Sequence, residues 1–320
     1  MTLDFNPLPV GLGNRDRLEV SAEGLGRYTI DISLPEGLSP EDRLPVILVL
    51  DGDILFDVTW AIAHNRIASM GSRLPPSIIV GVGYPEDEGF ASFYGRRNFD
   101  FHEQWDMTDP MGQRLHEIFD ALKAGEGKPE LELRAGGYHR FLQFLGEELL
   151  PGLARRYPID LDAAHTLIGD SSGGHFALRA LFDPGSPFSR YVAISPSLGA
   201  AQGAIQRAEA DYAAAHADLA VDVFVCAGGV EVDESQQNAT ARFGSGVIWT
   251  AEQFALRQWP GARLHWEIMN LEDHASIAPR AIAAGLRSVH QRRPGVHAAE
   301  IASASSGWTE MVGEGSIGKT

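Results

Sequence analysis

The sequence of 320 residues predicts an α/β fold, in which helices cover both faces of a mainly parallel central sheet. Short strand-like runs alternate with helical patterns over most of the chain, as in repeated strand–helix–strand units. Several of these runs are apolar at nearly every position, which is typical of parallel strands buried on both faces. They cover residues 46–50, 78–82, 166–168, 191–194 and 221–226.

The remaining elements fit the same pattern. Residues 27–34 alternate apolar and polar side chains, which predicts a strand with one exposed face near an edge of the sheet. A further strand is predicted at residues 264–269. Three helices are predicted from apolar side chains at helical spacing, at residues 138–156, 174–182 and 276–291.

We predict one α/β domain at residues 18–293, with an N-terminal extension at 1–17 and a flexible tail, rich in Ala, Ser and Gly, at 294–320. Residues 84–136 are polar, aromatic and charged, with one helical pattern at 111–122. This region is longer than a strand connection needs, so we predict an inserted loop or cap over the functional site. The alternative is an ordinary crossover helix with long loops.

The composition argues against nucleic acids and membranes as partners. With 43 acidic against 26 basic residues, the net charge is −17, which disfavours binding to nucleic acid or anionic membranes. The single cysteine, Cys226, cannot form an intramolecular disulfide. The sequence has no signal-peptide pattern and no apolar run near the roughly 20 residues of a membrane span. We therefore expect a cytoplasmic protein with no nucleic-acid or membrane partner, and the oligomeric state stays open.

The strongest motif is the sequence GDSSGG at residues 169–174, directly after the strand predicted at 166–168 and before a helix. This is the context of the G-x-S-x-G nucleophile elbow of the α/β-hydrolase fold. Small residues on both sides of the serine let strand and helix pass closely, while the strained turn exposes the hydroxyl. We predict that Ser171 is a nucleophile and that the N–H of Ser172 stabilises an oxyanion.

A serine nucleophile needs a base, and His274 fits best. It follows the last predicted strand and precedes the last helix, so its loop lies at the carboxyl end of the sheet beside the serine turn. The order serine, acid, histidine is that of α/β-hydrolases. A solvated loop histidine is the alternative reading of His274. His175, just past the elbow, is predicted to line the substrate pocket.

The acid that would orient His274 is ambiguous. The loop after residue 226 contains Glu231 and Asp233, and either carboxylate would stabilise the charged histidine. A Ser–His dyad in which neither acid is essential is a third possibility. The residues alone do not separate these alternatives.

A second oxyanion donor is expected from the loop after residue 50, as the N–H of Gly52 or Asp53. A simple strand-to-helix turn is the alternative. No nucleotide-binding or zinc-protease motif is complete, because Glu86 replaces the third glycine of a dinucleotide fingerprint and His116 lacks a second histidine. We therefore expect neither a metal nor a cofactor.

From about residue 18 to residue 286 the chain resembles the putative esterase family, which includes siderophore esterases, esterase D-like enzymes, feruloyl esterases and mycolyltransferase antigens. Besides the serine turn, the shared landmarks are LDG at 50–52, Arg-x-x-Asp at 97–100, FLQFLGEELLP at 141–151, SPSL at 195–198 and His-x-Ser at 274–276.

The resemblance implies an α/β-hydrolase fold that cleaves carboxylic esters without a cofactor. By the motif match, Ser171 and His274 carry over as nucleophile and base, and Arg97 is assigned to substrate binding. Val232 stands where the family's acid aligns, which favours a dyad or a shifted carboxylate. Gly199 and Ala200 replace an aromatic pair, so a differently shaped pocket is expected.

The predicted function is therefore hydrolysis of a small-molecule carboxylic ester, of a siderophore or aromatic type, through an acyl-enzyme. An acyltransferase or a peptidase would use the same residues. A non-catalytic binding protein on the same scaffold is the alternative from a different class.

Overall fold

The computed structural model describes residues 14–68, 74–106 and 108–291. The strands are β1 (Arg15–Ala22), β2 (Gly26–Ser33), β3 (Val46–Leu50), β4 (Ile78–Gly83), β5 (His165–Asp170), β6 (Phe188–Ile194), β7 (Asp222–Gly228) and β8 (Arg263–Met269). They form one sheet in the order β1-β2-β4-β3-β5-β6-β7-β8. β2 pairs antiparallel with β1 and β4, whereas the other pairs are parallel. The predicted α/β fold with a mainly parallel sheet is confirmed.

The helices are α1 (Gly52–Ala68), α2 (Gly89–Phe101), α3 (Pro110–Glu126), α4 (Tyr138–Gln143), α5 (Leu150–Ala154), α6 (Ser172–Ala180), α7 (Ala204–Ala215), α8 (Gln236–Ala241), α9 (Phe243–Arg257) and α10 (Ile277–Val289). A π-helical stretch, Phe144–Leu149, joins α4 to α5, so these three segments cover most of the helix predicted at 138–156. Among the helices of the described ranges, none combines the length and apolar character that a membrane span needs.

The central strands face two separate cores. In β3, Val46, Leu48 and Leu50 pack into one core, and Ile47 and Val49 pack into the other. α1 and α10 cover the second core, while α6 and α9 are among the helices over the first. Because both faces are buried, these strands are apolar at consecutive positions.

The sheet begins earlier than predicted. β1 starts at Arg15, so the domain boundary predicted at residue 18 falls within this strand. β2, predicted near an edge, is the second strand and lies between β1 and β4. β1 has charged side chains at four of its eight positions and no apolar run, which is why the sequence pattern did not reveal it.

The region at 84–136, predicted as loop or cap, contains a 3₁₀ turn at Glu86–Glu88 followed by α2 and α3. α2 packs against α3, α4 and α6, and α3 also packs against α8. α2 lies beside the carboxyl ends of β3 and β5, where its Arg97 contacts Asp51, directly after β3, and Asp170, the last residue of β5.

Candidate active site

Ser171 lies on a sharp turn between β5 and α6. Its backbone angles, φ 58° and ψ −115°, are unfavourable for a residue with a side chain. Glycines allow the close approach of strand and helix: a Cβ at Gly169 would lie 2.1 Å from the carbonyl oxygen of Gly173, and one at Gly174 would lie 2.3 Å from that of Ile194. The turn therefore has the geometry of a nucleophile elbow.

His274, in the loop between β8 and α10, contacts Ser171 with one ring nitrogen and Glu231 with the other. Its Nε2 lies 3.1 Å from Ser171 Oγ, and its Nδ1 bonds to Oε1 of Glu231. Because an ionised carboxylate only accepts hydrogen bonds, Nδ1 carries the hydrogen and the Ser171 hydroxyl donates to Nε2. The structure thus places Ser171, His274 and one of the two candidate acids in a single chain of hydrogen bonds.

The Glu231 carboxylate is fully buried and held in place by two further donors. Its Oε2 accepts a hydrogen bond from Ser195 Oγ at 2.7 Å and another from the N–H of Gly228 at 2.6 Å. These bonds compensate for burying a charge and aim Oε1 at His274. The sequence reasoning missed Ser195 as a positioning residue, although its Ser-Pro-Ser segment was visible as a landmark.

The structure separates Glu231 from the other candidate acid. β7 is followed by a 3₁₀ turn, Val230–Val232, which buries Glu231 and leaves Val232 55% exposed. Asp233 is exposed at the end of this turn. Glu231 lies inside this turn and Asp233 directly after it, so the two side chains point in different directions, and it is Glu231 that bonds to His274. The prediction of Asp233 as the partner and that of a dyad without a bound acid both disagree with this geometry.

Two further features act on His274. Burial lowers its pKa, but the hydrogen bond with Glu231 and the charges of Asp170 and Glu231 outweigh this effect and raise the pKa above the ordinary value. The ring of Phe243 stacks on the imidazole, with the ring centres 4.7 Å apart. Phe243, at the start of α9, was not predicted, because no local motif connects it to the site.

The residues predicted to supply oxyanion donors lie at the starts of two helices, α1 and α6. Ser172 is the first residue of α6, where the helix itself provides no acceptor for the N–H. On the other side, the N–H groups of Ile54 and Leu55 both donate to the carbonyl of Asp51. Gly52 and Asp53 come just before these two residues in the chain, and the role of their N–H groups as oxyanion donors stays a prediction.

Arg97 connects the two turns. It donates two hydrogen bonds to the carboxylate of Asp51, at 2.7 and 2.8 Å, and a third to the backbone carbonyl of Asp170 at 3.0 Å. The guanidinium therefore holds the turn after β3 against the elbow. Arg97 also lines the groove beside Ser171, and its predicted contact with substrate stays a prediction.

Asp170 adds a second carboxylate near the base. Its Oδ1 is buried and has no hydrogen-bond partner among the described residues. Burial raises the pKa of Asp170 to about 6, although His274 and Arg97 oppose this shift. The pKa of this carboxyl group, next to the nucleophile, is therefore higher than that of an ordinary aspartate.

The prediction that His175 lines the substrate pocket is wrong. The residue is fully buried, because α6 is covered by protein on nearly all sides. Its Nδ1–H donates to the carbonyl of Ser197 at 2.8 Å, and its ring lies against His102. Burial lowers the pKa of His175 to about 4, so it is a neutral core residue.

A groove of about 390 Å³ opens at Ser171 and is called the Ser171 groove below. Its apolar wall comes from α1, α2 and α3 and comprises Ile54, Leu55, Phe90, Phe93, Tyr94 and Ile118. The rings of Phe90 and Phe93 stack at 5.2 Å between centres, and Phe90 is 55% exposed. The nucleophile therefore faces a partly aromatic groove. Among the described residues, no three or more His, Cys, Asp or Glu side chains are arranged to hold a metal ion.

Comparisons with known proteins identify the family of this chain. The sequence pattern of the putative esterase family matches residues 21–249. The chain is 28% identical over 279 residues to the ferri-bacillibactin esterase BesA of Bacillus subtilis (strain 168), covering 86% of this chain and 89% of that protein. It is 31% identical over 198 residues to a siderophore triacetylfusarinine C esterase of Aspergillus fumigatus, covering 60% of this chain and 59% of that protein.

Solved structures show the same fold. The BES protein from Bacillus cereus superimposes with a TM-score of 0.71 at 24% identity, covering 91% of this chain and 100% of that one. The predicted α/β-hydrolase fold and the resemblance to siderophore esterases are both confirmed. Because the family match extends over more than half of the chain, this protein belongs to the putative esterase family of carboxylic ester hydrolases.

Proposed function

We propose that the chain hydrolyses small-molecule carboxylic esters through a covalent acyl-enzyme on Ser171. The observation that carries the proposal is the hydrogen-bonded series of Ser171, His274 and Glu231 at a strained strand-to-helix turn. The alternative of a non-catalytic binding protein would not require this arrangement.

The first half of the reaction forms the ester of Ser171. His274 Nε2 removes the hydroxyl proton as Oγ attacks the carbonyl carbon, and Glu231 stabilises the resulting imidazolium. The N–H of Ser172 and that of Gly52 or Asp53 would stabilise the negative oxygen. His274 then gives its proton to the leaving alcohol, which departs.

The second half regenerates the enzyme. Water takes the place of the alcohol, His274 removes one of its protons, and the hydroxide attacks the acyl carbonyl. The acid is released as Ser171 recovers its hydrogen from His274. No other reactant is needed to balance the reaction.

For the substrate, we propose a siderophore-type or aromatic ester. One relative is a ferri-bacillibactin esterase and another is a siderophore triacetylfusarinine C esterase. The Ser171 groove presents the rings of Phe90, Phe93 and Tyr94. Aromatic side chains pack well against aromatic or flat apolar groups of a ligand. A cytoplasmic location, expected from the sequence, stays a prediction.

The test is turnover of a panel of esters by the wild type and by Ser171→Ala. The panel contains p-nitrophenyl butyrate, a feruloyl ester and a catecholate trilactone. We expect turnover by the wild type and its loss in Ser171→Ala with an unchanged melting temperature. Ser39→Ala, a change at an exposed loop serine far along the chain from the elbow, is the matched control. Full turnover by Ser171→Ala would exclude the proposal, and detection of a new ester instead of free acid would indicate acyl transfer.

A further inference from the structure

A second groove, of about 430 Å³, adjoins the Ser171 groove. It lies between the start of α3 and the short helix α8 and is called the α3–α8 groove. The two grooves share one lining residue, Gln237 of α8, which therefore stands where they meet.

One face of α3 runs along both grooves. Met111, Arg114 and Ile118 are three and four residues apart, so they lie on the same side of this helix. Ile118 lines the Ser171 groove, whereas Met111 and Arg114 line the α3–α8 groove. A molecule bound at Ser171 and extending along α3 would therefore meet Arg114.

The two grooves differ in chemistry. The Ser171 groove is walled largely by apolar and aromatic side chains. In the α3–α8 groove, the hydroxyl group of Thr240 already donates to the carbonyl of Gln236. The groove also presents the guanidinium of Arg114, two glutamine amides and the hydroxyl group of Ser235. These are hydrogen-bond donors, so the second groove suits carbonyl, phenolate or hydroxamate oxygens.

Arg114 is able to turn towards such a ligand. Its only described ion pair is with Glu117 on the same helix, at 2.8 Å, and both side chains are more than half exposed. An exposed pair of this kind contributes little to stability, so exchanging it for a ligand oxygen costs little.

We propose that the α3–α8 groove is a distal substrate subsite, in which Arg114 selects large esters that carry oxygen acceptors away from the bond to be cleaved. This inference rests on the proposed esterase function and names its substrate class more closely. The Ser171 groove, at about 390 Å³, lies near the lower end of the roughly 300–1,000 Å³ that sites for drug-sized molecules enclose. A short acyl ester therefore fits in this groove alone, whereas an ester larger than the groove has to extend beyond it.

The test compares kcat and KM for one short and several large esters in the wild type and in Arg114→Ala. The short ester is p-nitrophenyl butyrate, and the large ones are enterobactin, triacetylfusarinine C and chlorogenate. For at least one large ester, we expect Arg114→Ala to raise KM about tenfold, because the ester loses one hydrogen bond to a charged group. The values for p-nitrophenyl butyrate should stay within about twofold, and Arg114→Lys should restore part of the affinity.

Arg43→Ala provides the matched control. Arg43 is an exposed arginine just before β3, at the end of the sheet opposite the active site. Its replacement should leave kcat and KM unchanged for the short ester and for the large esters. Equal losses for short and large esters in Arg114→Ala would overturn the proposal, as would an unchanged KM for every large ester. If the wild type cleaves the short ester but no large one, the subsite is excluded while the esterase function stands. If it cleaves none of them, the esterase function itself fails.

Discussion

Ser195 donates its hydroxyl hydrogen to Oε2 of Glu231 at 2.7 Å, and through this bond it fixes the carboxylate that contacts His274. Ser195 itself has a φ of 41°, which is unfavourable for a side-chain-bearing residue. Its N–H donates to the carbonyl of Cys226 in β7. The turn after β6 is therefore strained, and this conformation places the Ser195 hydroxyl within hydrogen-bond distance of Glu231. Strained backbone is often found at functional sites.

Replacing this hydroxyl should weaken catalysis without changing substrate binding. In Ser195→Ala, Glu231 keeps the N–H of Gly228 but loses one of its donors, so its carboxylate is less well oriented. We expect kcat for p-nitrophenyl butyrate to fall by about three- to tenfold, with KM unchanged. Ser197→Ala is the matched control, because the Ser197 hydroxyl is buried and has no partner among the described residues. A similar kcat for both variants would show that Ser195 does not position the acid.

Glu231→Gln should reduce kcat far more. The amide cannot stabilise the imidazolium, and it can present its NH₂ group to Nδ1, which favours the wrong tautomer of His274. We expect a loss of about 10²–10⁴ in kcat. Asp233→Asn, two residues along in the same loop but exposed, should change kcat less than twofold. Comparable losses in the two variants, or none in Glu231→Gln, would restore the Ser–His dyad as the better description.

The pH dependence of kcat/KM should reflect the charges around His274. Catalysis requires neutral His274, whose pKa is raised, so kcat/KM should fall with decreasing pH around a midpoint above the ordinary histidine value. Asp170→Asn removes one of the negative charges that raise this pKa, and the midpoint should move to lower pH. Asp211→Asn, an exposed carboxylate on α7, should leave the midpoint in place. A midpoint that moves to higher pH in Asp170→Asn would contradict this electrostatic assignment.

The glycines of the elbow should be sterically required. In Gly169→Ala the new Cβ would lie 2.1 Å from the Gly173 carbonyl oxygen, so strand and helix must move apart. We expect the free energy of unfolding to fall by about 1–3 kcal/mol, as in other overpacked cores. Gly125→Ala in α3 meets no atom within 4 Å and should be neutral or stabilise the protein by up to about 1 kcal/mol. Thermal or urea denaturation distinguishes these results, and equal stability of both variants would contradict the steric explanation.

The sequence alone predicted those parts of the site that are formed by residues adjacent in the chain. The elbow around Ser171 combines a strand, small residues and a helix within a few positions, so its geometry follows from sterics. The position of His274 followed from the order of strands, because loops at the carboxyl ends of parallel strands meet at one edge.

Features that depend on side-chain direction were not predictable. The choice between Glu231 and Asp233 depends on how a 3₁₀ turn packs after β7, and His175 points into the core because α6 is covered around most of its circumference. Phe243 reaches His274 from a helix that begins 31 residues earlier in the chain. Such contacts arise from tertiary packing and leave no periodic or motif signal.

The most direct test of an acyl-enzyme on Ser171 is covalent labelling with a fluorophosphonate probe, followed by peptide mass spectrometry. We predict one labelled site, at Ser171, with a labelling rate that falls strongly in His274→Ala and not in an exposed-histidine control, His139→Ala. Absence of labelling in the folded wild type, or labelling of a different serine, would contradict the assignment of Ser171 as the nucleophile.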